Sequence, residues 1–251
     1  MHPNATLRLP GKFGSSESVF VHTNLENMSS PDTSTPVTTG TTIIAVSFNG
    51  GVVFGADTRT SNGPFVSSRA TNKFSLLHER IALACAGSSA DTAAIEKIVR
   101  IQLEMHAQEL NSPGGEFTKN GSQLPLRLPT VLSAAKLVQS PLYTYKDNLF
   151  ASLIVGGWCP KRGGEIYCTP KGGKLVKQSY AADGSGSLFI LSYLDQHYHN
   201  DLTKEECQDI VRDAVSYAIY RDHLSGGAIR QLTITENSVE EAYITDFPFD
   251  P

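Results

Sequence analysis

An Asn49-Gly50 pair between two apolar runs constrains the fold more than any other short stretch of this chain. Residues 42–48 alternate and are rich in β-branched side chains, and residues 51–57 form a second apolar run. Both patterns are typical of strands. A two-residue Asn-Gly loop suits the tight turn that joins antiparallel strands. The sequence therefore predicts an antiparallel hairpin over residues 42–57.

The remaining patterns predict two pairs of helices separated by groups of strands. Helical spacing of apolar residues predicts a helix over 90–110, and the capping-box form of Thr203-Lys204-Glu205-Glu206 predicts one over 203–221. Two further helices are predicted over 130–146 and 188–198. Short apolar runs between turn residues predict further strands over 69–74, 81–86, 150–158, 165–169, 174–178, 228–235 and 241–244. Hairpin-linked strands with helices in pairs favour an α+β fold in which two antiparallel sheets are stacked between helix layers.

Two stretches lack such patterns. Residues 1–40 are rich in Ser, Thr, Asn and Pro and show no periodicity, so they are predicted to be a tail or pro-segment. The ordered domain is then expected to span residues 41–251. Residues 111–129 are interrupted by Pro and Gly and are predicted to form a surface insertion.

Composition and charge exclude several classes of function. The formal net charge is −4 and no basic stripe is present, so neither nucleic acid nor an anionic membrane is expected as a partner. Residues 1–30 lack the apolar core of a secretory signal, and no apolar run is long enough to span a bilayer. A location in the cytoplasm and nucleus is therefore expected.

The cysteine and glycine patterns do not indicate a metal or a cofactor. The four cysteines form no CxxC pair and no zinc-ligand spacing with histidine, so they are expected to be reduced. Residues 184–187, Gly-Ser-Gly-Ser, lack the spacing of a dinucleotide-binding loop. We expect neither a metal nor an organic cofactor.

The Gly40-Thr41 junction, just before the first predicted strand, suggests a self-cleavage site. If the chain is cut there, Thr41 carries both a hydroxyl nucleophile and a free α-amine, whose pKa near 8 suits it to act as a base. Gly40 has no Cβ to hinder approach to its carbonyl. The alternative is an ordinary loop, since Ser/Thr/Gly clusters before apolar runs are usually linkers.

Several separated motifs, taken together, resemble a known family. They are Thr39-Gly40-Thr41-Thr42, Gly55-Ala56-Asp57-Thr58-Arg59, Lys73, Ala86-Gly87-Ser88-Ser89-Ala90-Asp91, Asp183-Gly184-Ser185-Gly186-Ser187, Arg221-Asp222 and Ser225-Gly226-Gly227. In this order they resemble the catalytic β-subunits of the 20S proteasome, over residues 41 to about 246. Residues 77–81, 156–158 and 226–230 look most like the β1 type. The resemblance implies an N-terminal-nucleophile hydrolase with a four-layer αββα sandwich.

The resemblance also implies an activity and partners. It implies a threonine endopeptidase that cleaves proteins and peptides after removal of residues 1–40, in stacked rings with other α- and β-type subunits. Thr41 would be the nucleophile and Lys73 the neighbouring ammonium, which lowers the pKa of the Thr41 hydroxyl and amine. Asp57 would pair with Lys73.

Four further residues take their roles from the same resemblance. Ser185, Asp222 and Ser225 would form hydrogen bonds around the threonine amine. The backbone N–H of Gly87 would be the oxyanion donor, a type of group worth about 3 to 4 kcal/mol in acyl transfer.

Other interpretations of these residues remain open. Asp57 and Lys73 could form an ordinary ion pair, and Ser185 and Asp222 could be turn residues. One rival function is a structural ring subunit whose threonine is idle. A second is an amidohydrolase of the same fold that acts on small amides without α-type partners.

The substrate pocket departs from the family pattern at Cys85. By resemblance, β1-type subunits usually carry a basic residue there, two positions before the motif glycine, and such a residue would bind acidic side chains. The other pocket positions that the resemblance implies are uncharged: Thr60, Thr71, Ser75 and Ser89. We therefore expect a neutral pocket with reduced cleavage after acidic residues and a preference for small or branched apolar ones. The insertion at 111–129 is expected to contact a neighbouring subunit or to lie on the outer surface.

Overall fold

The structure is a computed structural model that describes residues 40–63, 65–110 and 128–247. These residues all belong to one compact unit, Val37–Pro251. The predicted pro-segment up to residue 39 and the predicted insertion up to residue 127 lie outside the described residues, so their predicted roles stay predictions.

Helices and strands alternate in groups along the described chain. The strands are β1 Ile43–Phe48, β2 Gly51–Asp57, β3 Thr60–Asn62, β4 Phe65–Ser68, β5 Phe74–His78, β6 Ile81–Gly87, β7 Ala151–Cys159, β8 Gly163–Thr169, β9 Val176–Gln178, β10 Tyr180–Asp183, β11 Ile229–Thr235 and β12 Val239–Ile244. The helices are α1 Ser89–Leu110, α2 Val131–Thr144, α3 Ser187–His197 and α4 Lys204–Arg221.

Two five-stranded antiparallel sheets form the centre of the fold. Their strand orders are β10-β1-β2-β11-β12 and β5-β6-β7-β8-β9. The predicted hairpin is confirmed, since β1 pairs with β2 and Phe48 lies opposite Gly51 across the Asn-Gly turn. Strand β10 follows β9 directly in the chain but pairs with β1 in the other sheet. The chain thus passes from one sheet to the other within residues 178–180.

The two sheets are stacked, with a pair of helices on each outer face. Along β1, Ile43 and Ala45 belong to the apolar cluster between the sheets, whereas Ile44 and Val46 pack with α3 and α4. The other sheet packs against α1 and α2 in the same way. Because successive strand residues point to opposite faces, strands covered on both sides read as continuous apolar runs. The predicted αββα sandwich is confirmed.

The structure corrects the prediction of a strand over residues 69–74. The strand begins only at Phe74, and Lys73 lies in the preceding loop. Among the hydrogen bonds that hold this loop, the Thr71 N–H donates to the Thr58 carbonyl, and the Phe74 N–H donates to the Asn72 side chain. A side-chain acceptor two residues back competes with sheet pairing, which is typical of a turn. The hairpin β3–β4 was not predicted.

The capping box predicted at the start of α4 is confirmed, with Thr203 and Glu206 bonded reciprocally. Helix α2 continues through Pro141. All four cysteines lie in the described part of the chain and are free. Within that part, none of the helices is long and apolar enough to cross a membrane.

A buried carboxylate, Glu165, ties β8 to β9. Its side chain is 1% exposed and accepts hydrogen bonds from Lys177 at 2.7 Å, Tyr167 at 3.2 Å and Arg162 at 3.4 Å. Burial alone would raise the pKa of Glu165, but the hydrogen bonds and charges of Lys177 and Arg162 outweigh it, so the pKa lies below its ordinary 4.5. Ionised Glu165 therefore stabilises the folded state.

We expect Glu165→Gln to weaken the β8–β9 pairing at neutral pH by about 1 to 2 kcal/mol. The effect is no larger because Arg162 and Lys177 are each about half exposed, so solvent screens their charges. The contribution is fully present above pH 4.5 and is lost as the pH falls through the lower folded pKa. Amide exchange of residues 163–178 in the purified assembly at pH 7 and pH 4 measures it. Equal protection of variant and parent at pH 7 would contradict this prediction.

Candidate active site

The Gly40-Thr41 bond is held at the start of β1 by close packing on both sides. A Cβ on Gly40 would lie 2.1 Å from the Leu224 carbonyl oxygen, so only glycine fits this position. The Gly40 N–H donates to the Ser61 hydroxyl at 3.0 Å. Thr41 itself is 7% exposed. The junction is therefore part of the packed structure, unlike the linker that the alternative interpretation required.

The Thr41 side chain lies against the bond that precedes it. Its hydroxyl donates to the Gly40 carbonyl oxygen at 2.7 Å, and its backbone N–H donates to the Ser185 hydroxyl at 3.2 Å. The hydroxyl is thus adjacent to the carbonyl group it would have to attack. The nitrogen that would become the free amine already has a hydrogen-bonding partner.

Asp57 and Lys73 form a buried ion pair next to this junction. Asp57 ends β2 and is fully buried, and the Lys73 Nζ lies 2.5 Å from its Oδ1 with the lysine side chain 6% exposed. The same Oδ1 accepts the Thr42 N–H at 2.8 Å. Oδ2 accepts the N–H groups of Gly226 at 3.1 Å and Arg59 at 3.2 Å. Four donors therefore fix the carboxylate, which distinguishes it from an ordinary surface pair.

Burial lowers the pKa of Lys73 below its ordinary value of 10.5, although the Asp57 carboxylate and, more weakly, Asp222 act in the opposite direction. A lysine with a lowered pKa can release and regain a proton closer to neutral pH. Lys73 and Thr41 line the same cleft. The pair can thus place a positive charge, or a proton, beside the threonine.

A second carboxylate network surrounds the Thr41 backbone nitrogen. The Asp222 Oδ2 accepts the hydroxyls of Ser185 at 2.7 Å and Ser225 at 2.6 Å. The Ser225 hydroxyl also bonds to the Thr42 hydroxyl at 2.8 Å. Asp222 follows α4, and Ser185 lies in the turn before α3, so the site depends on the meeting of two helix ends. The structure brings these sequence-predicted residues together.

The turn that carries Ser185 fits closely around Thr41. Gly184 has a φ of +90°, and a Cβ there would lie 2.2 Å from the Thr41 carbonyl oxygen. That same oxygen accepts the Gly186 N–H at 3.3 Å. Residue 184 must therefore be glycine for two reasons: its positive φ disfavours other residues, and a side chain would collide with the Thr41 carbonyl oxygen.

Comparisons with known proteins agree with this geometry. The family model described as Proteasome subunit matches residues 37–234. The chain is 42% identical over 205 residues to "Proteasome subunit beta type-6" of Dictyostelium discoideum, covering 82% of this chain and 89% of that protein. It is 43% identical over 208 residues to "Proteasome subunit beta type-9" of Rattus norvegicus and of Homo sapiens, covering 83% of this chain and 88% of each. The chain belongs to the proteasome subunit family.

These relatives place the chain among the beta-type proteasome subunits. Subunits of this family assemble with other α- and β-type subunits into stacked rings. The names of these relatives, beta type-6 and beta type-9, do not specify a β1 type. The coarser resemblance inferred from the sequence motifs is confirmed, whereas the subtype stays a prediction.

Two clefts of this proteasome subunit meet at Thr41, and Gly87 lines both. Gly87 ends β6 with a φ of +109°, and a Cβ there would lie 2.4 Å from the Phe150 carbonyl oxygen. The backbone at Gly87 is thus exposed to a group bound at Thr41, as its predicted role as oxyanion donor requires.

The first cleft contains every residue that was predicted to line the substrate pocket: Thr60, Thr71, Ser75, Cys85 and Ser89. It also contains Glu96, an acidic residue that the sequence interpretation missed, so the cleft is not lined by uncharged side chains alone. Glu96 lies seven residues after Ser89 on α1. Residues at this spacing share one helix face, so the helical pattern could have identified it.

Proposed function

We propose that this chain is a β1-type catalytic subunit of the 20S proteasome, made as a precursor, in which Thr41 hydrolyses peptide bonds. The observation that carries the proposal is the position of the Thr41 hydroxyl, 2.7 Å from the Gly40 carbonyl oxygen, between two carboxylate networks. A structural subunit with an idle threonine would not need a buried lysine in its cleft, since burying a charge is costly. The proposed location is the cytoplasm and nucleus.

Self-cleavage is the first reaction of this proposal. The Thr41 oxygen bonds to the Gly40 carbonyl carbon as its proton is removed, and the C–N bond breaks with that nitrogen taking up a proton. The result is an ester between Gly40 and the Thr41 side chain, with a free Thr41 amine. Water then hydrolyses the ester and releases residues 1–40. Until this happens the amine is part of an amide, so the precursor lacks its base.

Peptide hydrolysis repeats the same chemistry on a substrate. The Thr41 amine accepts the hydroxyl proton while the oxygen attacks the substrate carbonyl, and the negative oxygen that forms is placed at the Gly87 N–H. The Lys73 ammonium favours the ionised hydroxyl, and the network of Asp222 and Ser185 orients the amine. The leaving amine takes the proton, and water hydrolyses the acyl ester.

The intact mass of this chain, isolated from its native assembly, tests the proposal. A mass corresponding to residues 41–251 is expected, because it requires cleavage at Gly40–Thr41 and a free Thr41 amine. A full-length mass of 27.1 kDa in a finished particle would overturn the proposal, since the nucleophile would still be capped. The structural-subunit interpretation would then replace it.

A further inference from the structure

Glu96 gives the cleft beside Thr41 an acidic wall. Its carboxylate Oε1 accepts the Ser75 hydroxyl at 2.5 Å and the Arg100 Nη2 at 2.7 Å. Within the described part of the chain, the structure gives its Oε2 no hydrogen bond. An ionised carboxylate can accept about four hydrogen bonds. Glu96 thus retains the capacity to bind further donors.

Of the residues that the structure describes, no other charged one that lines the cleft occupies Oε2 of Glu96. Among the residues that line the cleft, Lys73 and Glu96 carry the charges, and the Lys73 ammonium is bound to Asp57. Arg100 is 44% exposed in its side chain and, with Glu96 and Ser75, lines a neighbouring depression. Arg100 is not among the residues that line the cleft beside Thr41, so its ion pair with Oε1 of Glu96 leaves Oε2 available to a group bound in that cleft.

Cys85 keeps the cleft open and neutral on the side facing Glu96. Burial, and next to it the charge of Glu96, raise the pKa of the Cys85 thiol to about 12, so it carries no charge at neutral pH. A cysteine also leaves more room than the long basic residue that the family resemblance implies for this position. A long substrate side chain can consequently extend past Cys85 towards Glu96.

We propose that Glu96 makes this pocket select substrates with a cationic side chain, lysine or arginine, on the residue preceding the scissile bond. This inference rests on the proposed function, because it assigns the substrate class of the same site. The substrate ammonium or guanidinium donates to Oε2 of Glu96, while its aliphatic stem lies along Cys85 and the cleft wall. Acidic side chains are repelled, and apolar ones leave Glu96 without a new partner.

Covalent labelling of Thr41 in the assembled particle tests this selection without interference from other subunits. Acetyl-Ala-Ala-Ala-X vinyl sulfones, with X as lysine, norleucine, leucine or glutamate, add the Thr41 O–H across their double bond and lose no atom. The intact mass of this chain then reports labelling at this site alone. Norleucine is the matched control for lysine, because it has a similar length and lacks the ammonium.

We expect the lysine probe to label the chain at least tenfold faster than the norleucine probe. Glu96→Gln removes the charge at nearly constant shape and is expected to abolish that ratio. Glu104→Gln removes an exposed charge from the same helix and is expected to preserve it. Arg100→Gln removes the competing donor of Glu96 and is expected to increase it, so the inference is testable even if the Glu96 variant fails to assemble.

Equal labelling by lysine and norleucine probes, or a lysine preference that survives Glu96→Gln, would overturn the inference while the proposed function stands. Fastest labelling by the glutamate probe, lost in Arg100→Gln, would also overturn it, because Arg100 would then be the recognition group. A processed chain that no probe labels, or an unprocessed one, would overturn the proposed function and the inference together.

Discussion

Replacing Thr41 by alanine is expected to leave the Gly40–Thr41 bond intact and to remove the peptidase activity of this chain, while the particle still assembles. The Thr41 hydroxyl, which lies 2.7 Å from the Gly40 carbonyl oxygen, is the group that would attack the Gly40 carbonyl carbon, and alanine has no hydroxyl. Loss of a catalytic nucleophile lowers activity on the order of 10⁴-fold or more. The side chain is small, so packing changes little.

Thr41→Ser is the matched control, because it keeps the hydroxyl and removes one methyl group. Its intact mass should correspond to residues 41–251, whereas the Thr41→Ala chain should keep Gly40 attached. A mass corresponding to a chain that begins before Gly40 would indicate trimming by another protease. Such trimming leaves the amine of residue 41 in an amide and the chain inactive. An alanine variant cut between residues 40 and 41 would show that the bond is not cleaved by this threonine.

Much of the fold could be predicted because its periodic signals are strong. The Asn49-Gly50 turn, the capping box at Thr203 and the helical apolar spacing each report a local preference that the packed structure also satisfies. The prediction of a strand over 69–74 was wrong because a local hydrogen bond there opposes sheet pairing. There, Asn72 binds its own backbone two residues on, and pairing with β6 begins only at Phe74.

The candidate site was predictable in its residues but not in its connections. Family motifs indicated Asp222, Ser185 and Ser225, yet the network depends on a contact between Ser185 and Asp222, which lie 37 residues apart in the chain, each beside a helix end. For Glu96, the spacing from Ser89 predicts only that the two residues share one face of α1. It belongs to no motif, and its place in the cleft follows from the packing of α1 over β5, which brings it to Ser75.

The second large effect is expected at Asp57. Its four donors come from Lys73, Thr42, Gly226 and Arg59, and the Asp57 carboxylate is fully buried, so water cannot replace a lost donor. Asp57→Asn turns one acceptor oxygen into a donor and leaves the Lys73 ammonium without a countercharge. Breaking a buried pair in this way costs about 3 to 5 kcal/mol, so less of the variant chain should enter the particle.

Activity per assembled chain should fall as well, by on the order of 100-fold or more, because the carboxylate orients the lysine beside Thr41. The double variant Asp57→Asn, Lys73→Met separates the two effects. It removes the uncompensated charge, so incorporation and amide protection of residues 51–57 should recover in part, but the charge beside Thr41 is gone and activity should not return. If the pair were merely structural, the double variant would recover activity along with assembly. Intact mass, which gives the incorporated fraction, and the labelling rate of Thr41 by vinyl sulfone probes measure the two quantities on the same sample.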